Sequence, residues 1–233
     1  MAIRALIFDV DGTLAETESV HLAAFNEAFA KAGLDWTWDH DLYRELLRVT
    51  GGRERILHYA KRLGPGASEI SAERAANLHA AKNALYGETI RQGECRLRPG
   101  VERLIRTSHA RGLRLAICTT TSRSNFDALI TSVLGADGLS LFQPIVCGED
   151  VRHKKPAPEA YFRVIDELGV PASDCLAFED SSNGLRAALA ANLRTIVTPS
   201  LFTDDESFEG AFQVLPNLEH FDPSKFSLEA PDA

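Results

Sequence analysis

No apolar run in this chain of 233 residues is long enough to cross a membrane: the longest, Ala187–Ala191, has five residues, and a spanning helix needs ~20. A surplus of positive charge is also missing. Lys and Arg number 25 against 33 Asp and Glu, a net charge of −8, so the mean field repels polyanions and nucleic acid is not an expected partner. The four cysteines, Cys95, Cys118, Cys147 and Cys175, show no Cys-x-x-Cys spacing. Three of them fall inside apolar strand-like runs, where a reduced thiol acts as a small hydrophobe, so neither disulfides nor zinc is expected. The first apolar stretch is short and soon meets Asp9 and Asp11. No secretory signal is read there, and the cytoplasm is the expected compartment. Internal repeats and low-complexity tracts are absent. What remains, 45% hydrophobic and 25% charged residues, is the composition of an ordinary globular protein with one large domain or two small ones.

Short β-branched or apolar runs recur at Ala5–Phe8, Leu115–Cys118, Ile145–Cys147, Leu176–Phe178 and Thr195–Val197; they read as buried parallel strands. Helix-period segments lie between most of them, at Val101–Arg111, Asn125–Leu134, Glu159–Leu168 and Leu185–Ala191. This alternation predicts an α/β fold, a doubly wound parallel sheet with helices on both faces. From about Ala15 to Glu94 the spacing is helical almost throughout, with Gly64-Pro65-Gly66-Ala67-Ser68 marking a turn. That length exceeds a crossover. It predicts an inserted α-helical domain, residues 16–94, hinged through two linkers to a core of residues 1–15 and 95–233. After Phe202 the chain is polar and weakly patterned.

The first strand ends Phe8-Asp9-Val10-Asp11-Gly12-Thr13. Two carboxylates ~4 Å apart repel by roughly 1 kcal/mol in water and about 4 kcal/mol at the effective dielectric of a protein surface, so a compensating positive charge is required. An Asx turn at Asp11-Gly12 would account for either acid alone. A second acidic pair, Glu179-Asp180, ends a second strand, where Asp180 by itself could cap the following helix. Together the two pairs put three or four carboxyl groups on one rim, an oxygen-only set suited to Mg²⁺. A third strand ends in the hydroxyls Thr119-Thr120-Thr121-Ser122, which serve either as a routine N-cap or as an anion site. Lys154-Lys155-Pro156 follows a fourth strand, and its charge either faces solvent or reaches the same rim.

In this order, Asp9-x-Asp11-Gly12-Thr13, Thr119, Lys155-Pro156 and Glu179-Asp180 resemble the four motifs of the haloacid-dehalogenase-like phosphohydrolase superfamily. The helical insert resembles that superfamily's cap domain, as in β-phosphoglucomutase and phosphoglycolate phosphatase. Glu16-Thr17-Glu18 with His21, and Tyr43-Arg44-Glu45-Leu46-Leu47 leading to Thr50-Gly51-Gly52-Arg53-Glu54-Arg55, look closest to the CbbY subfamily. Its members are sugar-bisphosphate phosphatases linked to the Calvin cycle that remove xylulose 1,5-bisphosphate. The resemblance implies Asp9 as nucleophile and Asp11 as general acid and then base. It implies Mg²⁺ held by Asp9, the Asp11 backbone carbonyl and Asp180, with Glu179 supporting it directly or through water. Thr119 and Lys155 would bind the phosphate oxygens, with Thr120 assisting. An acid two residues after the nucleophile favours an alkoxide leaving group over a halide.

Choice of substrate is expected from the insert. Glu18 and His21 sit one helical turn apart near Asp9, Arg53 follows Gly51-Gly52, and Lys82 lies on a later helix. Each could equally be surface or interface. By resemblance to β-phosphoglucomutase, His21, Arg53 and Lys82 fall where cap residues contact substrate, which makes Arg53 with Lys82 the expected second cationic site of a bisphosphate and Glu18 an acceptor for sugar hydroxyls. The expected ligand is a small phosphosugar bound by a monomer, with no membrane partner. A phosphomutase shares every motif. A receiver domain, which also accepts phosphate on an acid, is shorter and has no helical insert, and a catalytically dead binding protein would not retain the full motif set.

Overall fold

The structure, a computed structural model, describes residues 3–64, 70–93 and 95–226. Six strands, β1 (Ala5–Phe8), β2 (Arg114–Cys118), β3 (Ile145–Val146), β4 (Cys175–Glu179), β5 (Arg194–Val197) and β6 (Gln213–Val214), form one sheet in the order β3-β2-β1-β4-β5-β6. All neighbours pair in parallel. Side chains alternate across such a sheet, so Leu6 and Phe8 pack with α5 (Val101–Ala110) and α6 (Arg123–Leu134) on one face. Ala5 and Ile7 pack with α7 (Glu159–Leu168) and α8 (Ser182–Ala190) on the other. Both faces are covered, which is why the strands read as apolar runs rather than as alternating ones.

The five expected strands are present with ends shifted by at most one residue. β6 was not legible because both its residues are exposed and carry no apolar pattern. α6 and α8 begin earlier than their apolar stripes, since Ser122 accepts from Asn125 N–H and Ser181 from Gly184 N–H, and these polar caps fix the first turns. All four cysteines are free and buried.

Between β1 and α5 the chain forms α1 (Glu18–Lys31), α2 (His40–Leu46), α3 (Gly52–Leu63) and α4 (Ala72–Arg91). They enclose a separate core rich in aromatics, with Phe25, Phe29, Trp36, Trp38 and Tyr43 all buried. Burial of each ring contributes roughly 2–3 kcal/mol. Asn26 pins this core by pairing its amide with both the N–H and the C=O of Trp38, at 2.8 Å each. The two connections to the sheet run side by side: Ala15 bridges both Asp11 and Leu97, Arg98 N–H bonds to Leu14 O at 2.8 Å, and Arg98 pairs with Glu16 at 3.1 Å. Of the expected turn at Gly64-Pro65-Gly66-Ala67-Ser68, all but Gly64 lies outside the described residues.

Candidate active site

Register alone assembles the acidic centre. β1 and β4 are neighbours with Phe8 level with Phe178, and the chain reverses direction across the sheet at this point, where open α/β sheets bind ligands beyond the strand ends. The next residues are therefore Asp9 on one strand and Glu179-Asp180 on the other, with Asp9 N–H bonded to Phe178 O at 3.0 Å. Carboxylate oxygens of Asp9, Glu179 and Asp180 lie within 4.8 Å of one another, all in buried residues. Lys155 supplies the compensating charge: its Nζ donates to Asp9 Oδ1 (2.7 Å), Glu179 Oε1 (2.6 Å) and Cys118 O (2.8 Å). Tyr161 hydroxyl also donates to Glu179 Oε1.

One ammonium does not balance three acids. Burial pushes the Asp9 carboxyl up to about 7 against the pull of Lys155, and burial together with Asp9 raises Asp180 well above the usual carboxylate range. Burial alone would lower Lys155, but Asp9 and Glu179 outweigh it and hold its ammonium charged. Glu179 Oε2 is buried without a hydrogen-bond partner. An all-oxygen donor set with a free lone pair and acids left short of positive charge fits a hard divalent cation. Gly12 completes the approach: its φ is +78°, and a side chain there would run into the Asp180 carboxylate.

Asp9, Asp11, Thr119, Thr120, Lys155 and Asp180 line a single cavity from the sheet side. Because Ser122 and Ser181 cap their helices, neither Thr119 nor Asp180 is consumed as a cap. Glu179 lies beneath this wall rather than on it. From the insert side the lining includes Glu18, His21, Arg55, His79 and Lys82. Asp11 faces the insert, accepting at Oδ1 from Thr17 (2.6 Å) and lying 3.0 Å from His21 Nε2; Lys82 Nζ stands 2.5 Å from His21 Nδ1. Donation by Lys82 to Nδ1 requires the proton of a neutral ring on Nε2, where it donates to Asp11. Burial opposes ionisation of Asp11, yet His21, Thr17 and Lys82 hold its carboxyl below the usual range. Burial lowers Lys82 to about 7 and, with Lys82 and Lys154 nearby, His79 to about 4. Glu18 accepts from Tyr43 hydroxyl at 2.7 Å.

Arg53 is not among the cavity residues. Its side chain is half exposed and pairs with Glu54 at 3.6 Å. Arg55 stands in the cavity wall instead. It is buried, donates to Leu46 O and Tyr43 hydroxyl at 3.1 Å each, and lies over the rings of Phe25 (5.8 Å) and Tyr43 (5.2 Å). The reason is helical phase: the stripe Ile56, Tyr59, Leu63 extends back to Gly52 and Arg55, while Arg53 falls on the solvent face. That stripe was the available signal. His79 carried none, since a histidine on a helix has no distinguishing spacing.

A family model described as haloacid dehalogenase-like hydrolase matches residues 3–192. Protein CbbY of Rhodobacter capsulatus is 50% identical over 218 residues, covering 94% of this chain and 95% of that one. CbbY from Rhodobacter sphaeroides has been crystallised in complex with phosphate and, as a mutant, with xylulose-(1,5)bisphosphate. These structures match with a TM-score of 0.89 at 44% and 43% identity, each over 94% of this chain and 96% of that one. A parallel sheet that sets paired acids, a threonine and a lysine around one cavity, and a matching family model over most of the length, lead to one assignment: the chain belongs to the haloacid dehalogenase-like hydrolase family.

Proposed function

We propose that the chain is a Mg²⁺-dependent phosphatase of sugar bisphosphates that works through an aspartyl-phosphate on Asp9, with residues 16–94 acting as a cap that selects the substrate. Xylulose 1,5-bisphosphate, the ligand of the Rhodobacter sphaeroides relative, is the leading candidate. One observation carries the reading: the cavity has an acidic wall on the sheet and, facing it, two buried cationic side chains, Arg55 and Lys82, that make no direct ion pair with a carboxylate among the described residues. A buried charge without a directly paired counter-ion is costly, and a ligand with a second phosphate relieves that cost.

Asp9, Asp180 and the Asp11 backbone carbonyl would hold Mg²⁺, with Glu179 behind them. When bound, the ion compensates the charge that otherwise keeps an anionic carboxylate from an anionic phosphate. The Asp9 carboxylate attacks phosphorus as the bond to the sugar oxygen breaks, and Asp11 delivers a proton to the departing oxygen. That proton reaches Asp11 from Lys82 through the His21 ring before the attack and returns along the same path after the second step. Thr119 and Lys155 bind the oxygens that carry charge in the transition state, with Thr120 beside them. Asp11 then takes a proton from water, which attacks phosphorus, frees the Asp9 carboxylate and releases inorganic phosphate.

The test is product analysis. Xylulose 1,5-bisphosphate with Mg²⁺ should yield inorganic phosphate and a sugar monophosphate, and chelation of the metal should stop it. A positional isomer accumulating without free phosphate would instead make the chain a phosphomutase.

A further inference from the structure

The segment after β5 touches both walls of the cavity, although nothing in its sequence pattern marks it as functional. Thr198 N–H bonds to Glu179 O at 2.8 Å. Thr203 hydroxyl donates to Asp180 O at 2.8 Å and lies 3.4 Å from Asp180 Oδ2. It also accepts from Ser200 N–H at 2.9 Å, and the Ser200 hydroxyl lies 3.0 Å from it. Main chain and carboxylate of Asp180 are thus both held from this strap.

The same strap is keyed into the helical insert. Phe202 is 2% exposed and belongs to the insert's aromatic core, stacked on His40 (4.3 Å) and edge-on to Tyr43 (5.6 Å). Arg44 on α2 grips it from outside, donating to Leu201 O (2.6 Å), Asp204 (2.5 Å) and Asp205 (2.6 Å). Phe202 and Thr203 are adjacent, so one cannot leave its place without pulling on the other.

We propose that Ser200–Asp205 is a positioning strap: Ser200 and Thr203 orient Asp180 for a divalent cation, and Phe202 with Arg44 makes that orientation depend on the insert being docked. The proposal rests on Asp180 as a metal ligand. None of these residues reaches a reacting atom; they act through Asp180, as the outer partners of metal ligands do.

Calorimetric titration of the intact protein with Mg²⁺, in the absence of substrate, separates this role from packing. Thr203→Val keeps the shape and loses the hydroxyl, and should weaken Mg²⁺ binding roughly tenfold. Thr203→Ser, which keeps the hydroxyl, should bind within about twofold of the unaltered protein. Phe202→Ala should also weaken binding although it contacts no carboxylate; Arg44→Met tests the same link if Phe202→Ala does not fold. Unchanged affinity in Thr203→Val, loss equal in Thr203→Ser, or no effect of the insert-side variants would overturn the strap. Failure of the unaltered protein to bind Mg²⁺ would overturn the metal reading first and the strap with it.

Discussion

The two walls of the cavity bury charge of opposite sign by different means. On the sheet, Asp9 and Glu179 share one ammonium, and burial drives Asp9 and Asp180 toward their neutral forms. On the insert, Arg55 and Lys82 lie against the rings of Phe25, Tyr43 and Tyr86, and burial drives Lys82 toward its neutral form as well. Each wall lacks the counter-charge the other kind of ligand would bring: a cation at the sheet, an anion at the insert. The difference supports the proposed division of labour, with bond-breaking in the core and discrimination in the insert.

The harshest way to break that division is Asp9→Asn. Loss of the proposed nucleophile should lower turnover of every phosphate ester by about 10⁴-fold or more, read as phosphate release; retention of activity on any ester would place the chemistry elsewhere. Next comes Phe29→Ala. Phe29 packs on Trp36 and Trp38 at 5.3 and 4.8 Å, and its truncation should cost about 3–5 kcal/mol. Both tryptophans of the chain lie in the insert, so their fluorescence should report the loss while the thiols of Cys118 and Cys175, buried in the sheet, stay unreactive. Simultaneous exposure of both would mean one cooperative unit.

Opposite pH slopes would sharpen the contrast. Asp9 stands at about 7 folded against 3.8 as its ordinary value. The proton it keeps stabilises the metal-free protein fully below 3.8, and that contribution is lost as pH rises through 7. Mg²⁺ must displace this proton, so its affinity should rise about tenfold per pH unit up to pH 7. Lys82 loses its charge above about 7, so the preference for bisphosphate over monophosphate should decline there. Parallel slopes in metal titration and in the KM ratio would contradict the two-wall picture. The smallest effect belongs to Arg53→Met, expected to stay within about twofold on either ester because the side chain is exposed; a large, bisphosphate-specific loss would put Arg53 back in the site.

The sheet and the acidic wall were legible in the sequence because both depend on strand ends. Phe8 and Phe178 mark where β1 and β4 stop, so Asp9 and Asp180 follow by continuation. The insert was legible as helices but not as a surface, since which residue of Arg53-Glu54-Arg55 faces inward depends on the phase of α3 against Phe25 and Tyr43. The strap at Ser200–Asp205 was hidden for another reason. Phe202 is a lone aromatic in a polar stretch, and what buries it is a helix of the insert, a contact no local pattern records.

The most direct test is kinetic. Arg55→Met should lower kcat/KM for a sugar bisphosphate about 10- to 100-fold, the worth of a charge-assisted hydrogen bond at roughly 1.5–3 kcal/mol, while leaving a small monophosphate ester within about threefold of the unaltered protein. Equal losses on the two esters would contradict a cavity that breaks bonds at one wall and chooses substrates at the other.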